Sequence, residues 1–107
     1  MDYTVFDLKG FSDYKSWLKN DKKMLKTINE LIISIQRHGP LDGYGKPEVL
    51  RGNYKGCYSR RIDEKNRLIY QYSKKDGDSE TIVLGCCDHY SGKENTIKQS
   101  LMDKFNI

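Results

Sequence analysis

The chain has 107 residues, 32% of them charged, with a formal charge of +4 and a pI near 8.9. That length fits one domain around one core, and recurring blocks of Ile, Leu, Val, Tyr and Phe exclude a disordered polyelectrolyte. No apolar run approaches the ~20 residues of a membrane span, and three cysteines behind an N-terminus without a basic and then apolar signal pattern favour the reducing cytoplasm as the expected compartment.

Taken in order, "YTVFDL" (Tyr3 to Leu8) reads as a strand that ends at the Gly10 break. Ser12 can cap a short helix with Phe11, Tyr14 and Leu18 on one side and Trp17 beside them. After a break near Asn20-Asp21, Met24, Ile28, Leu31 and Ile35 recur at helical spacing, with Leu25 and Ile32 widening the stripe and Gly39-Pro40 as the stop. This is an amphipathic helix laid on something flat. The glycine-rich stretch "LDGYGKPEVLRGN" reads as an ordered loop, because Pro47 disfavours helix at Lys46. Strands follow at about 54 to 62, 67 to 73 and 80 to 87, with "KKDGDS" as the turn between the last two. Helices first and an antiparallel meander afterwards predict an α+β fold with both helices on one face of the sheet. No internal repeat or linker divides it.

In "GCYSRRIDEKNRLIY" three arginines occupy strand positions. Alternation puts Tyr58, Arg60 and Ile62 on one side and Ser59 and Arg61 on the other. If Ile62 joins Leu68 and Tyr70 against the helices, Arg61 and Arg67 meet on the opposite face; a turn one residue different would exchange Arg60 for Arg61, and the register stays open. In the last strand Val83, Gly85, Cys87 and His89 share a side, and the glycine suggests that this side is the open one. Arg61, Arg67 and His89 thus form a candidate constellation, with Lys46 and Glu48 able to reach its rim. Cleavage of RNA by its own 2′-hydroxyl needs a base, an acid, and positive charge where the phosphorane develops, and glutamate, histidine and arginine can supply those three roles without a metal. Each residue also has a plainer reading, such as solubility charge on a strand edge for the arginines. His38 closes the long helix, where the helix dipole is explanation enough. "CCDH" hints at a metal, but adjacent strand cysteines point to opposite faces and no second pair at zinc spacing exists, so the cysteines read as small buried hydrophobes.

Four motifs in order, "INELI", "GKPEVL", "YSRRIDEKNRLIY" and "CDHY", resemble the YoeB branch of the RelE-type bacterial toxins over roughly residues 3 to 90. The resemblance implies the microbial ribonuclease fold, a twisted antiparallel sheet backed by two N-terminal helices. It also implies a ribosome-dependent messenger-RNA endoribonuclease of a type II toxin–antitoxin system, inhibited by a cognate YefM-like antitoxin, with a homodimer as a further association. Carried over by position, the general base falls on Glu48, the transition-state arginine on Arg67 and the general acid on His89. Lys46, Arg61 and Tyr90 match phosphate-binding and terminal positions. Neither cofactor nor metal is expected. The alternatives are a basic ribosome- or RNA-binding protein of the same fold that does not cut, and a fold relative that poisons gyrase.

Relatives end near the His-Tyr pair, whereas this chain continues for 17 residues beyond Tyr90. We therefore expect a toxin domain over 1–90 and an extension over 91–107. In the extension Ile97, Leu101 and Phe105 recur every four residues with Met102 alongside, the stripe of a short extra helix that would have to dock to persist.

Overall fold

A computed structural model describes residues 1–87. Its elements run β1 (Asp2–Phe6), α1 (Leu8–Asn20), α2 (Lys22–His38), β2 (Glu48–Val49), β3 (Tyr58–Arg61), β4 (Arg67–Lys75) and β5 (Asp78–Gly85), with a 3-10 turn at Gly52–Tyr54 before β3. His89, Tyr90 and the expected helix of the extension lie outside the described residues. No helix among those described is long and apolar enough to cross a membrane.

The five strands form one sheet in the order β1-β5-β4-β3-β2. The pairings β2/β3, β3/β4 and β4/β5 are antiparallel, as expected for a meander, but β1 lies parallel on β5, with Thr4 beside Thr81 and Phe6 beside Val83. The sheet is therefore mixed. Parallel neighbours need a crossover, and here the two helices and the rest of the sheet lie between them in sequence. Local patterning shows that β1 is a strand and carries no information about the strand it will meet.

The expected Gly10 break is not one. Asp7 caps α1 instead of Ser12, its Oδ1 accepting the Gly10 N–H at 2.7 Å, and Gly10 sits buried inside the first turn. A Cβ on Gly10 would collide with the Val83 carbonyl oxygen, so glycine here lets the helix rest on β5 rather than ending anything. Asp21 separates the helices and caps α2 through the Lys23 N–H, and Gly39 at φ 87° stops α2 with its N–H on the Ile35 carbonyl. The stripe of α2 is the one its periodicity announces: Ile28, Leu31, Ile32 and Ile35 are buried with Leu68, Tyr70, Val83 and Cys86.

The opposite face of the sheet carries a smaller core, in which Leu50, Tyr54 and Cys57 cover Ile69 and Leu84. This corrects the reading of the last strand. A bulge between Ile69 and Tyr70 shifts the register, Val83 joins the helix-side core, and a Cβ on Gly85 would point toward Asp13 of α1. The glycine side is the covered side, and the face away from the helices is that of Ile82 and Leu84. The strand expected from residue 54 starts only at Tyr58, because residues 50–57 wrap over this second core. The loop before it contributes the two-residue β2.

Candidate functional site

The turn between β3 and β4 decides which arginine faces where. Asp63 Oδ1 accepts the backbone N–H of Lys65 at 2.8 Å and of Asn66 at 2.7 Å, and the Ile62 N–H donates to the Asn66 carbonyl at 2.9 Å. Partial burial raises the Asp63 carboxyl, but the N–H groups of Asn66 and Lys65 outweigh it and hold the group below its ordinary value. This closed turn puts Arg61 opposite Arg67 and Arg60 opposite Leu68. Arg61 and Arg67 share the face away from the helices, the arrangement conditional on Ile62 in the sequence.

Arg60 turns the other way and is wholly buried. All five of its N–H groups find oxygen: Nε donates to the Tyr70 hydroxyl at 2.9 Å, Nη1 to Ser34 Oγ at 3.1 Å and the Tyr44 carbonyl at 2.7 Å, and Nη2 to the carbonyls of Gly39 at 2.9 Å and Asp42 at 2.7 Å. None of the five acceptors is a carboxylate. Tyr70 passes the chain on by donating to the Pro40 carbonyl at 2.6 Å, and burial raises its hydroxyl pKa although Arg60 works against that shift. A buried charge with so many directed bonds is costly to misplace. Arg60 therefore bolts residues 39–44 to the middle of the sheet.

The loop continues onto the end of β3. The Arg61 N–H donates to the Gly45 carbonyl at 2.6 Å, and Lys46, exposed and at φ 49°, precedes Pro47 and β2. In β2, Glu48 lies beside Ser59 in register. Ser59 Oγ accepts from Arg67 Nε at 3.1 Å and Nη2 at 2.9 Å, and that same Nη2 lies 3.4 Å from Glu48 Oε2. The Arg67 side chain is 11% exposed and that of Glu48 55%, so the guanidinium is held in the surface while the carboxylate stands in solvent. An ion pair this exposed contributes little to stability. Its placement is chemically more telling: a carboxylate able to take a proton stands beside a positioned cation that can face developing negative charge, with Arg61 across the strand pair.

Of the residues singled out in the sequence, Glu48, Arg61, Arg67 and the backbone carrying Lys46 come together; His89 and Tyr90 lie outside the described residues. Two contributors were placed by strand alternation but given no role: Ser59, on the side of Arg61, holds Arg67, and Arg60, on the other side, anchors the loop. Cys57 and Cys86 sit as core thiols, with burial pushing Cys86 up to about 12 and raising Cys57, whereas Cys87 is only half-buried. Among the described residues, no group of three or more His, Cys, Asp or Glu is placed to hold a metal.

Comparison with known proteins bears on this arrangement. A family model described as a YoeB-like toxin of bacterial type II toxin–antitoxin systems matches residues 6–90. The Toxin YoeB of Synechocystis sp. is 45% identical over 86 residues, which are 80% of this chain and 94% of that protein. A YoeB/ParE toxin from Agrobacterium tumefaciens superposes with a TM-score of 0.78 at 36% identity, covering 82% of this chain and 99% of the other. The Staphylococcus aureus YoeB, solved in a heterotetrameric complex with YefM and as a dimer, superposes with a TM-score of 0.71 in each case. Identity is 44% and 45%, and coverage is 84% and 82% of this chain and 99% and 97% of the others.

Proposed function

The chain belongs to the YoeB-like toxins of bacterial type II toxin–antitoxin systems, and on that premise we propose that it is a ribosome-dependent messenger-RNA endoribonuclease held inactive by a YefM-like antitoxin. The observation that carries the reading is the Glu48–Arg67 pair at 3.4 Å on the sheet face away from the helices, with Arg61 opposite Arg67. A ribosome or RNA binder without chemistry has no need of a carboxylate aimed at its cationic surface, since carboxylates repel phosphate.

In this mechanism Glu48 removes the proton of a 2′-hydroxyl, and the resulting oxygen attacks the adjacent phosphorus. The bond to the 5′-oxygen breaks, and His89 returns a proton to that leaving oxygen. The products are a 2′,3′-cyclic phosphate and a 5′-hydroxyl. Arg67 is aimed at the non-bridging oxygens, whose charge peaks in the transition state, and its two bonds to Ser59 spare it reorganisation at that moment. Lys46, Arg61 and Tyr90 hold the substrate around the scissile bond. The cytoplasm, where translated message lies, is the compartment this activity needs. The S. aureus YoeB–YefM complex and the S. aureus dimer support an antitoxin partner and self-association. A disordered acidic or apolar antitoxin segment folding across Arg61 and Arg67 would silence the site.

Single-turnover cleavage of message on programmed ribosomes tests the assignment. Glu48→Gln should cost on the order of 10² to 10⁴ in rate with the fold intact. Arg67→Ala should lower cleavage more than ribosome binding, and Lys46→Ala the reverse. Wild-type rates from Glu48→Gln would sink its assignment as the base, and a wild-type chain that binds programmed ribosomes without cutting would return it to the non-cleaving reading. DNA damage without new RNA 5′ ends would favour the gyrase alternative.

A further inference from the structure

Tyr44 is unusual among the aromatic residues in that its backbone is fixed and its ring is not covered. Its N–H donates to Ser34 Oγ at 3.1 Å and its carbonyl accepts from buried Arg60 at 2.7 Å, while its side chain is left 73% exposed. Both flanking residues are glycines at positive φ, 103° at Gly43 and 88° at Gly45. Neither could carry a side chain: a Cβ on Gly43 would collide with Ser34 Oγ, and one on Gly45 would lie 2.7 Å from Leu31 and 3.1 Å from Arg60 Cβ. The sequence G-Y-G thus presses the backbone against α2 and β3 and leaves one aromatic ring projecting. The ring is thereby held out in water on an immobilised backbone, an arrangement that presents one aromatic face without conformational search.

The ring borders a cavity of about 390 Å³ lined by Thr27, Glu30, Leu31, Tyr44, Gly45 and Arg61. This volume is at the low end of the range for small-ligand sites, roughly 300–1,000 Å³. Its wall has an apolar side from Leu31 and a hydroxyl and a carboxylate from α2, and at its edge is Arg61, whose partner across the strands is Arg67. Single-stranded nucleic acid is bound in this way, by charge that follows the backbone and aromatic faces that take the bases. We propose that Tyr44 is a stacking platform for an unpaired RNA base adjoining the phosphate at Arg61 and Arg67, with Glu30 and Thr27 offering hydrogen-bond partners to the edge of that base. The assignment rests on the nuclease reading above and extends it from the scissile phosphate to a neighbouring nucleotide.

The test is steady-state cleavage of message on programmed ribosomes by the full chain with Tyr44 replaced by Phe, Trp, Leu and Ala. Glu48→Gln serves as the chemical control. A base stacked on an aromatic ring is worth a factor of roughly 5 to 150. Phe and Trp should keep kcat/KM within about threefold of wild type, whereas Leu and Ala lose that factor, and melting temperatures should not separate the variants because the ring is exposed. If Leu performs as well as Phe while the wild type cleaves and Glu48→Gln does not, the platform is wrong and the nuclease reading stands. Unchanged cleavage by Tyr44→Ala together with weakened antitoxin binding would make the ring a protein anchor and overturn the proposal. A wild-type chain that cleaves nothing on the ribosome overturns both readings together.

Discussion

Arg60→Met separates the structural arginine from the two on the open face. Methionine keeps an unbranched stem to fill the space beside Tyr70 and removes five N–H donors at once. Hydrogen bonds from a charged donor are worth about 1.5–3 kcal/mol each, but most of their sum is cancelled by the several kcal/mol it costs to bury a guanidinium. Three of the five acceptors are carbonyls at the loop, where water can replace the arginine at Gly39, Asp42 and Tyr44 once the loop moves. Ser34 Oγ and the Tyr70 hydroxyl each keep one other bond, to the Tyr44 N–H and the Pro40 carbonyl. The net loss should be about 3–5 kcal/mol, which in a domain of this size is a fall in Tm of about 12–20 °C. Arg60→Lys should recover less than half, since an ammonium has three donors without the planar fork that reaches both sides of the loop. Urea titration followed by circular dichroism measures the loss, with an unchanged m-value showing that the native state stays compact. Hydrogen exchange at the Tyr44 N–H should accelerate ahead of exchange in β4. A Met variant within about 1 kcal/mol of wild type would refute the reasoning, because the polar network would then be worth no more than an apolar filling of the same space.

Gly10→Ala should destabilise by about 2 kcal/mol or more in the same titration, although an unhindered replacement in a helix would gain about 1 kcal/mol, because the new methyl meets the Val83 backbone and not a side chain able to swing away; a stabilised variant would mean that α1 can lift from β5 freely. Asp63 makes a pH prediction. Its folded pKa lies below the unfolded value of about 3.9, so its contribution is fully present above that value and is lost as pH falls through the folded pKa. Asp63→Asn retains an acceptor oxygen and does not titrate, so the Tm difference between wild type and variant should be constant above about pH 5 and shrink below about pH 4. A difference unchanged down to pH 2 would remove the carboxylate from the turn's account.

Much of this protein was readable because the relevant signals lie within a few residues of one another. The stripe Ile28, Leu31, Ile35 fixes the inner face of α2, alternation through "YSRR" separates Arg60 from Arg61, and Gly39-Pro40 marks the stop, all from periods of 3.6 and 2 that any neighbouring residues can display. The same local rules misread Gly10, which is a break by propensity and a point of contact by packing. They also placed the open side of β5 on Val83 and Gly85, because the bulge at Ile69/Tyr70 is a property of two strands together. The parallel seat of β1 likewise depends on where the rest of the chain returns.

The division is clearest in "SRRIDEKNR". Sequence alone determined that one arginine of the pair would face each way and that Arg67 would join whichever faced outward with it. Only the tertiary structure decided that Arg61 is the outward one, since that depends on the Asp63 turn closing over four backbone and side-chain bonds and on five oxygens from three separate segments meeting Arg60 inside. Register is a cooperative choice: a one-residue slip would bury Arg61 without that cage and expose Arg60's place in the core, so the energy difference resides in contacts between residues up to 26 apart, beyond the reach of any local pattern.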